Sequence, residues 1–193
     1  MAIADTGATT YTIRRKFWTF LGNQFHVFDA QMNPVLFSKQ KAFKLKEDIR
    51  VYQDESMTQE RLLIKARNAI DFSAAYDVID PVENKKIGAL RRKGFSSIAR
   101  DSWEFLDEND NPVAALKEDS MLLALIRRFL TNLIPQKFEV REGNRVLASY
   151  KQHFNPFVLK LDVHIAPEAS ERIDPRLALA AGILLAAIER RQQ

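Results

Sequence analysis

The chain has no cysteine among its 193 residues. That single absence excludes disulfides, thiolate zinc sites, cysteine nucleophiles and cysteine-linked lipid anchors together, and it fits a reducing compartment. Glycine is sparse too. The six glycines stand apart from one another, so no glycine-rich loop offers its backbone N–H groups to a phosphate. Only three histidines are present, His26, His153 and His164. They are scattered, with no serine in a nucleophile elbow and no metal-ligand spacing beside them, so neither an enzyme nor a cofactor is expected. Residues 1–10 lack the basic start and apolar core of a signal or transit peptide. They read as a frayed tail, and a cytoplasmic protein is expected.

What the chain does hold is apolar and aromatic. It is 46% hydrophobic with 13 Phe, and 28% charged with a net charge of +4. This composition marks a soluble globule with one sizeable core, and nothing marks a linker, so residues 11–193 read as one domain. The positive balance favours anionic partners in general. From Leu177 to Ile188 no polar side chain occurs. Asp174 and Pro175 just before it form a helix start, the first accepting orphan N–H groups and the second giving up an N–H that has no partner. Twelve such residues span about 18 Å, short of the roughly 30 Å of a bilayer core, so the segment reads as a helix surrounded by protein.

Before this helix the pattern is period-two alternation broken by turn residues, the signature of many short antiparallel strands. Tyr11 to Phe20 is the first. A local unit then recurs: an aromatic, an acid four residues later and an Asn eight residues later. It runs Phe25, Asp29, Asn33; then Tyr76, Asp80, Asn84; then Trp103, Asp107, Asn111. Phe138, Glu142 and Asn144 form the same unit with a shorter loop, and Val51–Asp54 with Leu62–Arg67 is a looser version. Each predicts a hairpin whose aromatic points to the core, whose acid opens the turn and whose Asn takes the left-handed conformation. With further strands at Ala42–Glu47, Ser97–Leu106 and Pro156–Ile165, the count reaches about a dozen, more than an open twisted sheet usually holds. The fold class is therefore mainly β: a closed antiparallel barrel of about twelve strands enclosing the C-terminal helix. A second, amphipathic helix is expected over Ser120–Ile134, stopped by Pro135.

The opening Tyr11-Thr-Ile-Arg-Arg-Lys-Phe-Trp, the repeated hairpins and the terminal Leu177-Ala-Leu-Ala-Ala-Gly-Ile-Leu-Leu-Ala resemble the tubby C-terminal-like superfamily, within it the LURP-one-related and phospholipid scramblase branches. The likeness covers about residues 11–190 and implies a twelve-stranded barrel threaded by a hydrophobic C-terminal helix. In tubby proteins a Lys-x-Arg on a strand, followed by a short loop and an aromatic-led strand, binds phosphoinositide headgroups. Lys65-Ala-Arg67, followed by Asn68–Ala75 and Tyr76–Asp80, resembles that arrangement, although the tubby loop is strongly basic and this one is not. The proline-rich segment and cysteine cluster of scramblases are absent here, so scrambling activity does not follow from the likeness.

Asp107, Asn109, Asn111 and Glu118 stand at EF-hand positions one, three, five and twelve. Position six needs glycine for a sharp turn and here is Pro112, so a turn and no metal is expected. Basic groups remain as candidate contacts for lipid phosphate: Lys65 and Arg67; Arg91, Arg92 and Lys93; and Arg127 and Arg128 on the second helix. Basic residues near an anionic membrane are each worth about 1 kcal/mol. The reading is a tubby-like domain binding anionic phospholipid or phosphoinositide, cytoplasmic or peripheral to a membrane. An intracellular scaffold with a protein partner stands second and a scramblase-like protein third. Nucleic acid is not expected, because the aromatics follow buried hairpin positions.

Overall fold

Alternation along the strands sets the two sides of a wall. On the strand Val158–Ile165, Leu159, Leu161, Val163 and Ile165 are buried, while Lys160, Asp162 and His164 take the outer positions between them. The computed structural model describes residues 9–16, 23–40, 48–67, 75–92, 102–118, 137–153 and 158–188. Twelve strands are present: β1 Thr10–Lys16, β2 Asn23–Phe28, β3 Pro34–Gln40, β4 Ile49–Tyr52, β5 Glu60–Ala66, β6 Ala75–Asp80, β7 Lys85–Arg92, β8 Trp103–Leu106, β9 Pro112–Glu118, β10 Lys137–Glu142, β11 Arg145–His153 and β12 Val158–Ile165. A 3-10 turn, Pro167–Glu171, leads to the helix α1, Pro175–Ile188. Each strand pairs antiparallel with its sequence neighbours, and β1 closes onto β12 from Thr10↔His164 to Lys16↔Val158. The closed twelve-stranded barrel around a C-terminal helix is as the sequence predicts. The expected strand over Ala42–Glu47 and helix over Ser120–Ile134 lie outside the described residues, as do the extensions of the first strand past Lys16, of the Ser97–Leu106 strand before Ser102 and of the Pro156–Ile165 strand before Val158.

All five expected hairpins form, and the leading aromatics Phe25, Tyr76, Trp103 and Phe138 are buried. The turns differ from expectation in one respect. Of the repeat asparagines only Asn84 is left-handed, at φ 50°; elsewhere the residue before the Asn takes that conformation, namely Met32 (66°), Asp110 (69°) and Gly143 (57°). The reason is visible at Asn33 and Asn111, whose amide groups donate to the second carboxylate oxygen of Asp29 (3.1 Å) and Asp107 (3.0 Å). The first oxygen of each Asp accepts two backbone N–H groups, from Gln31 and Asn33 and from Asn109 and Asn111. An Asn held in this way closes the turn in extended backbone, so the positive φ moves one residue back. Because strands alternate in direction, the five turns share one end of the barrel, and the helix enters at that end.

The helix fills the bore. Leu177 to Leu184 are all buried. A Cβ on Gly182 would stand 2.9 Å from Ile13 Cδ1 and 3.1 Å from Val163 Cγ2, so any larger residue makes the side chains of β1 and β12 shift or the helix move off them. Both helix ends are held by charge. At the start, Asp174 accepts the Arg176 N–H (2.8 Å) as an N-cap, and the Arg176 guanidinium bridges Asp174 (2.7 Å) and Asp80 (2.5 Å) on the β6–β7 turn. Burial pushes the Asp80 carboxyl up, but N–H groups from Glu83 and Val82, followed by Arg176, outweigh it and hold the group below its ordinary value. At the far end, Arg15 is 2% exposed and donates from Nη1 to the Ala186 carbonyl at 2.7 Å, with its guanidinium 5.5 Å from the Phe25 ring centre. A cation at the helix C-terminus meets the negative pole of the macrodipole and an orphan carbonyl together. Between the two ends, the Tyr150 hydroxyl donates to the Ala178 carbonyl at 2.8 Å, and full burial raises its pKa.

Candidate functional site

The two cations of the Lys65-Ala-Arg67 motif both stand outside the barrel, as their spacing requires, and both are exposed. Lys65 faces Asp77 across β5 and β6. Arg67 follows β5, its N–H bonded to the Ala75 carbonyl at 2.9 Å. Its guanidinium is engaged by acids: Nε and Nη2 donate to Asp77 Oδ1 at 2.9 and 2.6 Å, and Nη2 also reaches the Asp110 carboxylate on the β8–β9 turn. Lys86 of β7 donates to Asp110 Oδ1 at 2.7 Å and lies 3.7 Å from Asp77. Hydrogen bonds from Arg67 and then Lys86 hold the Asp110 carboxyl below its usual range. Two cations, Arg67 and Lys86, and two carboxylates thus form one cluster that fastens the β8–β9 turn to the wall. An incoming phosphate would have to displace bonds already made, and a bidentate arginine engaged this way has few donors left.

Among the other expected contacts, Arg91 donates to Glu104 Oε2 through Nε (3.0 Å) and Nη2 (2.6 Å). Arg92 has the parity of the buried Leu90 and stands opposite Trp103, so the structure separates it from Arg91 and does not place the two on one face. Lys93, Arg127 and Arg128 lie outside the described residues. The EF-hand-like stretch is a turn. Asp107 spends its oxygens on Asn109 and Asn111, and positions three and five present donors, where a cation needs acceptors. Among the described residues no cluster of three His, Asp or Glu groups forms that would hold a metal ion.

Inside the barrel, Leu90, Trp103, Leu116, Ala181, Leu184 and Leu185 line a cavity of about 10 Å³. That is no more than about one water, in a lining without polar partners for it. Among the described residues no helix is long and apolar enough to cross a membrane.

Sequence reasoning missed two features. Arg15 shares the inward parity of Tyr11 and Ile13, and a cation in an otherwise apolar alternation was the signal for its buried role. The second feature is a set of basic residues on adjacent outer strands. Lys137 faces Lys151, Lys160 faces both Arg14 and His153, and Asp162 between them is hydrogen-bonded to Thr12 (2.9 Å) and His153 (2.5 Å). Burial pushes the Asp162 carboxyl up, but the bonds from His153 and Thr12 outweigh it and leave it below the ordinary value.

No curated protein matches the chain in sequence. In three dimensions it is similar to an Arabidopsis thaliana protein solved by X-ray crystallography, with a TM-score of 0.50 and 12% identity over 95% of this chain and 94% of that one. At that identity the likeness concerns the fold alone. The family model described as LURP-one-related, whose domain is part of the tubby-like superfamily, matches residues 34–186. Those residues run from β3 into the last turn of α1, and the chain belongs to the LURP-one-related family.

Proposed function

We propose that this chain is a non-enzymatic, cytoplasmic tubby-like module that binds anionic phospholipid as a peripheral protein at a membrane surface. The observation that carries the reading is the plugged bore: the barrel is filled by its own helix, so recognition falls to the outer wall of a protein with net charge +4. A filled barrel is a platform, in contrast to barrels that carry ligands in their lumen. On this reading phosphate headgroups are met by wall cations, and the attraction weakens as salt screens it. Co-sedimentation with phosphatidylcholine vesicles, with and without phosphatidylserine or phosphoinositide, tests the proposal. Binding to the anionic vesicles only, falling as ionic strength rises, is expected. Equal retention on neutral and anionic vesicles would remove the reading.

A scaffold role with a protein partner is supported by a different observation. Met32 (43% exposed), Met57 (42%) and Val82 (75%) are exposed apolar residues on three successive turns at the helix-entry end of the barrel. Stable one-to-one association with a purified partner, lost in a variant with Ser at all three positions, would favour that role.

A further inference from the structure

Around most of the outer wall, the cross-strand neighbour of a cation is an acid. Lys65 faces Asp77, Lys85 faces Asp80, Arg91 faces Glu104, Lys117 faces Glu139 and Arg145 faces Glu142. On β10, β11, β12 and β1 such pairs are mixed with like-charged ones, and Lys151, which faces Asp162 on one side, has a cation on the other. Lys137 faces Lys151, and Lys160 faces Arg14 on one side and His153 on the other. Like charges directly opposite one another destabilise a sheet, so this arrangement works against the fold unless something else neutralises it. Neighbouring strands lie about 4.8 Å apart, which puts all five groups within a patch roughly 15 Å wide.

Two acids stand by the patch: Glu139, which accepts the Arg141 Nε–H at 2.8 Å, and Asp162. Its Oδ1 accepts the Thr12 hydroxyl at 2.9 Å and is 3.5 Å from Lys160 Nζ, and its Oδ2 meets His153 Nε2 at 2.5 Å. Lys137 and Lys151 are exposed and have no carboxylate within ion-pair distance among the described residues. Arg14 lies with its guanidinium 5.0 Å from the centre of the Phe28 ring, which keeps its charge beside an apolar surface.

We propose that the β10–β11–β12–β1 wall is the face that lies on an anionic bilayer, with headgroup phosphates seated among Lys137, Lys151, Lys160 and Arg14. This rests on the lipid-binding function proposed above and assigns it to a different wall from that of the Lys65-Ala-Arg67 motif. A bilayer fits the patch because the cations are spread over four strands of a convex wall, where several headgroups can be met at once. Seating a phosphate between Lys137 and Lys151, or between Lys160 and Arg14, turns each repulsive pair into two attractive contacts.

The experiment measures partitioning of the full chain onto phosphatidylcholine vesicles containing phosphatidylserine, at low salt. Removing a basic residue near a charged surface weakens binding about fivefold, so Lys137→Ala with Lys151→Ala, or Arg14→Ala with Lys160→Ala, lowers it about 25-fold. Their melting temperatures stay level or rise, since each double variant removes a repulsion. Asp162→Asn supplies the opposite sign: deleting an acid from the patch strengthens binding about fivefold. Full binding by both double variants, with loss in Lys65→Ala with Arg67→Ala, overturns the wall assigned here and leaves lipid binding standing. A wild type indifferent to phosphatidylserine removes both proposals. Tighter capture of a single-stranded oligonucleotide than of vesicles, lost in the same variants, overturns the bilayer as occupant.

Discussion

Two sections of one outer wall carry similar numbers of cations and treat them in opposite ways. On β5 to β7, Lys65, Arg67, Lys86 and Arg91 are answered by Asp77, Asp110 and Glu104. On β10 to β1, Lys137 faces Lys151 and Lys160 faces Arg14, with Asp162 and Glu139 as the acids near them. The difference teaches how a basic motif should be weighed. Lys-x-Arg describes neighbours two apart, whereas the acids that engage Arg67 come from 10 and 43 residues further along the chain. A cation's availability is a property of the wall it stands on, and exposed ion pairs worth only about 0–1 kcal/mol in stability still decide it.

The contrast presumes that both walls hang on one rigid scaffold, so the largest expected effect comes from removing that scaffold. Leu177, Leu179, Ile183 and Leu184 are buried, and together contribute about 6–12 kcal/mol, comparable to the stability of a whole domain. A chain ending before Asp174 is expected to lose its cooperative thermal transition, and Gly182→Leu to cost about 1–3 kcal/mol or more by overpacking. A sharp melt in the truncated chain would mean that the walls stand without the helix.

Acid sharpens the comparison at intermediate magnitude. Asp107 is held low by the Asn111 side chain, Asp110 by Arg67 and Asp80 by the turn N–H groups. A carboxyl whose folded pKa lies below its unfolded value of about 3.9 adds stability that is complete above that value and is lost as pH falls through the folded pKa. The melting temperature should therefore be level above about pH 5 and decline below about pH 4. Asp107→Asn with Asp110→Asn should flatten the decline more than Asp162→Asn, since the turn wall holds more of these groups. A melting temperature unchanged down to about pH 2.5 would contradict the hydrogen-bonding pattern of the turns.

The smallest effect breaks the comparison directly. Asp77→Asn with Asp110→Asn frees Lys65, Arg67 and Lys86 from their acids and makes the motif wall resemble the other. Affinity for phosphatidylserine vesicles should then rise by about fivefold to tenfold at low salt. No gain would show that cation pairing is not what separates the two walls.

The fold was largely legible in the sequence because its signals are local and periodic: alternation along strands, an aromatic-acid-Asn unit at each hairpin, and an apolar helix opened by Asp174-Pro175. Strand count and helix together left a closed barrel as the consistent answer. Less legible was everything that depends on which strands become neighbours. The left-handed residue moved from Asn33 to Met32 because Asp29 captured the Asn side chain. The pairing of Arg67 with Asp110 depends on which loops lie side by side on the wall, and the meeting of Lys160 with Arg14 comes from barrel closure, which brings residues nearly 150 positions apart into register. Arg15 alone announced itself, as a charge in an inward position, and its partner 171 residues away did not.

That last contact fixes when the molecule can exist at all. Arg15 leaves the ribosome 171 residues ahead of Ala186, and β1 has no second edge partner until β12 is made. At about 5–20 residues per second, the first strand waits roughly 10–40 s before the barrel can close behind it. Throughout that interval the nascent hairpins present open edges and uncovered apolar inner faces, the state from which sheet proteins aggregate. The decisive step of folding therefore waits on β12 and the helix, and its yield in a cell depends on what shields an eleven-strand sheet that is still short of its last strand and its plug.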